Sequence, residues 1–259
     1  MSDLMPPTPW LLRRPGPRRA LRLYCFSYAG GSPASYLAWQ AGLAPDIEVC
    51  AVQLPGRGAR FNEPSCTSLA QLVDTLAEVI GEAAEATPGQ PFALFGHSLG
   101  ALIAFEVARA LAGRGGAQPC HLFLSGCAAP RYRPWRPAIH RFDDAALVRE
   151  LVTYNGTPPE ILADAELMAL LLPAIRADFA LVHDYQYRPA RPLCQPLTVL
   201  AGNADRIGSS TEVSGWSEET SGPCRVQWFA GDHFFLHTCA PDVLDCINAA
   251  LEHFIEPAL

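Results

Sequence analysis

The pentapeptide Gly96-His97-Ser98-Leu99-Gly100 follows an apolar run, Phe92-Ala93-Leu94-Phe95, and opens a helical pattern. Strand, Gly-X-Ser-X-Gly, helix is the order of a nucleophile elbow, a sharp turn that holds a serine hydroxyl up at the sheet edge. The two glycines suit such a turn, because neighbours without side chains let strand and helix pack closely around the serine. A serine hydroxyl is a poor nucleophile until a base takes its proton. The chain must therefore also supply a histidine and a carboxylate to orient it, in the order serine, acid, histidine.

Seven histidines compete for the role of base. His97 lies inside the elbow and is expected to point away from Ser98. His121 begins a strand, His140 and His183 fall in a helical stretch, and His253 belongs to the last helix. His233 directly follows the apolar run Val226 to Ala230, and ligands meet an α/β sheet beyond the carboxyl ends of its strands. His233 is thus the expected base, and His237, four residues on, reads as a surface or packing residue. Asp205 follows the run Leu197 to Gly202 across the short turn Asn203-Ala204, which places it beside the strand that delivers His233. As the acid it would fix the His233 tautomer and stabilise the imidazolium. Asp232 adjoins His233, but neighbouring side chains diverge, and Asp178 and Asp184 read as solvated. The oxyanion of an acyl-transfer intermediate needs backbone donors. The Leu99 N–H at a helix N-terminus is one, and the loop Ser27-Tyr28-Ala29-Gly30-Gly31-Ser32 offers the second, with Ala29 the expected residue. A phosphate-binding reading of this loop fails, because neither a Gly-x-Gly-x-x-Gly nor a Walker pattern is present.

The elements that would hold these residues alternate. Leu21 to Tyr28, Ile47 to Leu54, Phe92 to His97, His121 to Cys127, Leu197 to Gly202 and Val226 to Ala230 are short, nearly continuous apolar runs. Parallel strands covered on both faces look like this. Between them, Ser68 to Ala84 carries an apolar stripe with a Ser68/Gln71 capping box, Gly100 to Ala112 follows the elbow with Gly113 as its cap, and Val243 to Phe254 closes the chain. The pattern predicts a mostly parallel, doubly wound α/β sheet. The interval from about 130 to 190 is too long for an ordinary crossover. It begins Pro/Arg-rich, then offers helices near Asp143 to Tyr154 and Ala165 to Tyr185, split by Gly156-Thr157-Pro158-Pro159. It reads as a lid over the site, the alternative being a helical subdomain with a small core of its own. Residues 1–20 read as a flexible segment and 21–259 as one domain.

The totals exclude several classes. No apolar stretch approaches the roughly 18 residues of a membrane span, and the N-terminus lacks the apolar core of a secretory signal. A net charge of −7 argues against a general nucleic-acid binder. Nine cysteines is an odd number, without a Cys-x-x-Cys pair or a histidine at zinc-ligand spacing. Cys25, Cys50, Cys120, Cys127 and Cys194 lie in or beside apolar runs, so reduced, buried thiols in a cytoplasmic protein are expected, and no metal.

With these residues assembled, the chain resembles the stand-alone type II thioesterases that accompany modular polyketide and nonribosomal peptide synthases. The resemblance runs from about Leu21 to Phe254. It is carried by Phe26-Ser27-Tyr28-Ala29-Gly30-Gly31-Ser32, Gln53-Leu54-Pro55-Gly56-Arg57-Gly58-Ala59-Arg60-Phe61, the elbow, Asn155-Gly156-Thr157-Pro158-Pro159 and Gly231-Asp232-His233-Phe234-Phe235-Leu236. Three positions depart from the family's common residues: Tyr28 for histidine, Asp232 for glycine and Leu99 for methionine. The resemblance implies an α/β-hydrolase fold with a helical lid, and a serine hydrolase acting on thioesters. It implies substrates held on the phosphopantetheine arm of acyl or peptidyl carrier protein domains, an editing role, and no metal or soluble cofactor; a monomer is the separate expectation. Two arginine groups are candidates to face an acidic carrier: Arg57 with Arg60, and Arg131, Arg133, Arg136 and Arg141. A plain solvated basic stretch stands equally open for each. A carboxylesterase and an acyltransferase are the rival enzymes on this fold, and a binding protein on an inactive hydrolase scaffold is disfavoured by the intact serine, acid and histidine.

Overall fold

Runs that are apolar at every position become strands covered on both sides. The computed structural model describes residues 8–133, 137–206 and 210–255. Its strands are β1 (Leu11–Leu12), β2 (Leu21–Phe26), β3 (Ile47–Val52), β4 (Phe92–His97), β5 (His121–Ser125), β6 (Leu197–Gly202) and β7 (Cys224–Phe229). They form one seven-stranded sheet in the order β1-β3-β2-β4-β5-β6-β7. All neighbours run parallel except β1, which is antiparallel to β3. Every residue of β2 to β6 is buried. The helices are α1 (Pro33–Leu37), α2 (Leu69–Glu85), α3 (Leu99–Arg114), α4 (Asp144–Tyr154), α5 (Pro159–Ala163), α6 (Ala165–Asp184), α7 (Ser210–Ser214), α8 (Phe235–Thr238) and α9 (Ala240–Ile255).

Alternate residues of each strand feed two cores. Tyr24, Phe26, Leu94 and Leu122 pack with Leu72, Leu76 and Ile80 of α2 and Leu102 and Phe105 of α3. Leu23, Cys25, Phe95 and Phe123 pack on the other face with Tyr36 of α1 and Val243, Ile247 and Leu251 of α9. The result is a three-layer α/β sandwich of the doubly wound kind. From β2 the chain steps outward to β3, then returns to β4 on the opposite side of β2. The loops leaving β2 and β4 therefore diverge, and a crevice opens between them at the carboxyl ends of the strands.

Four details differ from the sequence reading. Residues 8–20 are not all loose: Leu11 pairs with Val52 and Leu12 with Ala51, and Arg13 reaches Glu48 at 3.2 Å. This short apolar pair covers the otherwise open edge of β3. Helix α3 runs through Gly113 and is capped by Gly115, whose φ of 66° suits the left-handed cap position. Of the capping box, the Ser68 hydroxyl accepting the Gln71 N–H at 3.3 Å is the half observed. No disulfide joins any of the nine cysteines; Cys25, Cys50 and Cys127 are buried, Cys120 is half-buried and Cys194 is exposed, on the loop before β6.

Between β5 and β6 the insertion builds a small core from Ile139, Leu147, Leu151, Met168, Leu172 and Ile175. Two of its helices, α4 and α6, start at aspartate caps: Asp143 accepts the Ala146 N–H at 2.7 Å, and Asp164 accepts the Leu167 N–H at 3.0 Å. Among the described residues no helix is long and apolar enough to cross a membrane.

Buried histidines tie the sheet to pH, His121 among them. His121 of β5 meets the Thr198 hydroxyl of β6 at 2.8 Å through Nε2. Burial, with His253 and Arg225 nearby, pushes its pKa down to about 4. The folded chain thus holds His121 neutral where an unfolded histidine, with its ordinary pKa of about 6.5, takes up a proton. Stability from this site is full above about pH 6.5 and is lost as pH falls toward 4, by about 3 kcal/mol. Urea titrations across that range will show the fall, and His121→Gln will make it shallower, the remainder coming from groups such as His97 of β4, which burial also holds neutral. An equally steep fall in the variant would remove His121 as its source.

Candidate active site

Ser98 sits at φ 56° and ψ −113° between β4 and α3. A side chain at positive φ costs of order 1–3 kcal/mol and persists only where its surroundings enforce it. Here they do. The Ser98 N–H donates to the Ser125 carbonyl at 2.8 Å, and β4 is paired on both sides, to β2 and β5. The first turn of α3 lies so close to β2 that a Cβ on Gly100 would collide with the Phe26 carbonyl, and a Cβ on Gly96 with that of Gly100. The elbow is held from several directions, and neither of its glycines has room for a methyl group.

Asp205 and His233 are brought together by pairing of β6 with β7, because each follows one of these neighbouring strands. The two loops are stitched by backbone bonds, Asn203 N–H to Phe229 O and Ala204 N–H to Gly231 O, both 2.9 Å. His233 Nδ1–H donates to Asp205 Oδ2 at 2.8 Å, and both side chains are buried. A ring nitrogen bonded to a carboxylate carries the proton, so Nε2 is left as the basic atom. Ser98, Asp205 and His233 line one cavity.

The His233 ring is boxed by His97, Phe234 and Tyr154, with centroids 4.8, 5.1 and 6.2 Å away. His97 turns into the sheet, where its Nδ1 meets the Ser125 hydroxyl at 2.8 Å. Burial holds the His97 imidazole well below the ordinary histidine range, and His233 and His237 push the same way. A neutral ring therefore supports His233. His237 packs as expected, stacked on Phe234 and 3.3 Å from the Tyr28 hydroxyl. Asp232 turns from the His233 ring: its Oδ2 accepts from the Asn155 side-chain amide at 3.0 Å and its Oδ1 from the Phe234 N–H at 2.9 Å. The Asn155 amide, aided by the Phe234 N–H, holds the Asp232 carboxyl below the usual carboxylate range. Asn155 caps α4 at φ 57°, so this bond ties the lid to the histidine loop.

The Leu99 N–H lies in the first turn of α3, where no intrahelical acceptor exists. In the loop after β2, the Gly30 N–H is taken by Asp178 Oδ2 at 2.8 Å and the Gly31 N–H by Tyr28 O at 2.8 Å. Ala29 and Leu99 line the cavity with Ser98. The cavity measures about 990 Å³. Leu102 of α3 and Leu151, Ile161, Leu171, Ile175 and Phe179 of the insertion give it apolar walls. The insertion is therefore both a helical unit with its own core and a roof over Ser98.

Several charged residues fall elsewhere than expected. Asp178 is not solvated but 2% exposed, and it takes both terminal nitrogens of Arg57 at 2.7 Å. Arg60 is buried, bonded to Glu63 and the Gln53 carbonyl and lying over Trp10. Neither arginine offers its charge to a partner, because each is turned inward to neutralise or cap buried groups. In the second cluster, Arg131 is exposed beside Glu218 at 3.6 Å and Arg141 is exposed. Arg133 instead joins the cavity wall, donating to Val182 O at 3.1 Å. Arg136 lies outside the described residues. The sequence did carry a signal for Asp178: it falls on the same face of α6 as Ala174, Ile175 and Leu181, and a carboxylate on an apolar stripe demands a buried partner.

The elbow geometry gives a paired expectation. Gly100→Ala will cost about 1–3 kcal/mol through overpacking and will slow labelling of Ser98 by a fluorophosphonate. Gly113→Ala, in the same helix with open space around it, will raise stability by about 0.5–1 kcal/mol. Thermal melts and labelling rates of the two variants check both directions.

Residues 21–251 match the family model described as the thioesterase domain. The chain is 37% identical over 239 residues to the gramicidin S biosynthesis protein GrsT of Aneurinibacillus migulanus, covering 92% of each chain. It is 39% identical over 243 residues to thioesterase PikA5 of Streptomyces venezuelae, covering 91% of this chain and 84% of that one. The solved structure of the type II thioesterase BorB from the borrelidin biosynthetic cluster superposes with a TM-score of 0.84 at 37% identity, covering 95% of this chain and 97% of that one. The match spans the elbow, the lid and the histidine loop alike: this chain belongs to the thioesterase family, hydrolases that act on thioester bonds.

Proposed function

We propose that this protein is a free-standing type II thioesterase. It removes acyl groups from the phosphopantetheine arm of carrier protein domains in a modular polyketide or nonribosomal peptide synthase, and so clears stalled or aberrant intermediates. The observation that carries the reading is the His233–Asp205 hydrogen bond in the cavity that also holds Ser98 on its strained elbow. The similarity to GrsT, PikA5 and BorB supports the pathway class.

Each residue has a defined task. His233 Nε2 takes the Ser98 hydroxyl proton as Oγ attacks the thioester carbonyl carbon. The carbonyl oxygen becomes an oxyanion, held by the N–H groups of Ala29 and Leu99. Collapse breaks the C–S bond, and the His233 imidazolium returns its proton to the leaving thiolate. Water then enters, His233 takes one of its protons, and hydroxide attacks the acyl ester. The second collapse breaks the C–Oγ bond and returns a proton to Ser98. Asp205 keeps Nδ1 protonated throughout and stabilises the imidazolium. No oxidation occurs, and the chemistry calls on no metal or soluble cofactor, since phosphopantetheine arrives with the substrate. The apolar roof suits a nonpolar acyl group. With the acid, base, nucleophile and donors on one chain, a monomer is complete. Nine cysteines without a disulfide fit the reducing cytoplasm.

Ser98→Ala will lower kcat by at least about 10⁴-fold, and Asp205→Asn by about 10⁴-fold. Intact-mass measurement of acyl loss from carrier proteins reads this directly. Wild-type enzyme will prefer these thioesters to matched oxygen esters; the reverse preference would point to a carboxylesterase, and transfer to a non-water acceptor to an acyltransferase. The net charge of −7 opposes an acidic carrier, so attraction must be local. Arg131→Glu with Arg141→Glu will raise KM for the acyl carrier and leave KM for a small acyl thioester alone. Equal KM values for the carrier would remove these arginines from the docking face.

A further inference from the structure

The Arg57–Asp178 pair grips the loop that follows Ala29. Asp178 belongs to α6, and its Oδ2 accepts the Gly30 N–H at 2.8 Å. Both of its oxygens meet Arg57, each at 2.7 Å. Arg57 Nη1 also donates to the Gly31 carbonyl at 3.3 Å. The ion pair therefore holds the Ala29–Gly30 peptide by its N–H and the Gly31–Ser32 peptide by its C=O.

The packing around the pair is equally close. Gly30 adopts φ +75°, and a Cβ there would come within 2.9 Å of Ile175 Cγ1, one turn before Asp178 on α6. Ala174 of the same turn faces Gly56, where a Cβ would lie 3.6 Å from it. Arg57 is held in turn by buried Gln53, whose Nε2 donates to the Arg57 carbonyl at 2.7 Å. One turn of the lid helix is thus seated on both the Ala29 loop and the Arg57 segment. Apolar side chains would serve stability there as well as a buried ion pair does. What the ion pair adds is direction, because bidentate bonds fix orientation as well as distance.

Resting on the thioesterase reading above, we propose that Arg57 and Asp178 are positioning residues for the oxyanion hole. By clamping Gly30 and Gly31 they aim the Ala29 N–H at the site of the oxyanion. Because Asp178 belongs to α6, the seating of that helix sets the geometry of the hole.

The test compares wild type, Asp178→Ala, Asp178→Asn and Arg57→Lys on an acyl-N-acetylcysteamine thioester, after circular dichroism and thermal melting establish folding. A second readout is inhibition by an alkyl trifluoromethyl ketone, whose adduct with Ser98 carries the oxyanion. Asp178→Ala will lower kcat about 10- to 100-fold, since a misplacement near 1 Å costs about that much. Its KM will stay within about threefold, and ketone affinity will fall in step with kcat. Asp178→Asn keeps an oxygen for the Gly30 N–H and will fall between wild type and Asp178→Ala. The pH profile of kcat/KM will keep its shape, because His233 and Asp205 are untouched. Should Asp178→Ala fail to fold, Asp178→Asn and Arg57→Lys decide the matter by the same two readouts. Folded variants that keep kcat and ketone affinity within about threefold of wild type, or lose only KM, would overturn the proposal. A wild type inert toward thioesters would remove the function reading and this inference together. An active wild type with indifferent variants would remove this inference alone.

Discussion

Close approach at the elbow is the constraint on which the rest of the structure depends. The first turn of α3 lies against the end of β2 with no room for a Cβ on Gly100. That contact forces Ser98 to positive φ and sets the start of α3 beside the loop that carries Ala29. Leu99, whose N–H has no helical acceptor of its own, then lines the same cavity as Ser98. A strained residue and a donor without a helical acceptor are both unfavourable taken alone. They persist because β4 is paired on both sides and because the Ser98 N–H is bonded to Ser125 O at 2.8 Å.

The lid reaches this rigid floor through few polar contacts and many apolar ones. Its own core of Leu147, Leu151, Met168 and Leu172 lets α4 and α6 behave as a unit. Polar links then orient that unit, among them the buried pair of Asp178 with Gly30 and Arg57, the half-buried bond from Tyr185 to Glu106 and the exposed bond from Asn155 to Asp232. Apolar contacts tolerate sliding, whereas hydrogen bonds have direction. The division suits an enzyme whose acyl pocket must accept nonpolar groups while its reacting centre stays in register. His97 plays the matching part below the site, a neutral ring pressed against His233 and anchored to Ser125.

Much of this was legible in the chain. The strands could be read because parallel strands covered on both faces are apolar at nearly every position, and Phe92–His97 and Leu197–Gly202 matched their observed limits. Asp205 and His233 could be read because each follows such a run by a short turn, and β6 and β7 are neighbours. Residues whose roles depend on a remote partner were misread. Asp178 looked like a solvated helix residue, and its partner Arg57 is 121 positions away. Arg57 and Arg60 looked like a basic surface because a sequence shows charge but not burial. Trp10, Leu11 and Leu12 looked like part of a loose tail because two residues are too few for any periodicity to register.

By itself the sequence determined the order of strands and helices, the nucleophile elbow and the position of the acid and base along the chain. These are local consequences of hydrophobic period, turn chemistry and the space that glycine leaves. The tertiary structure alone decided which N–H groups of the Ala29 loop are spent on other bonds, which charges are buried as pairs, and how the lid is seated. Those outcomes follow from the directions of hydrogen bonds between segments far apart in the chain, and no local pattern encodes a direction in space.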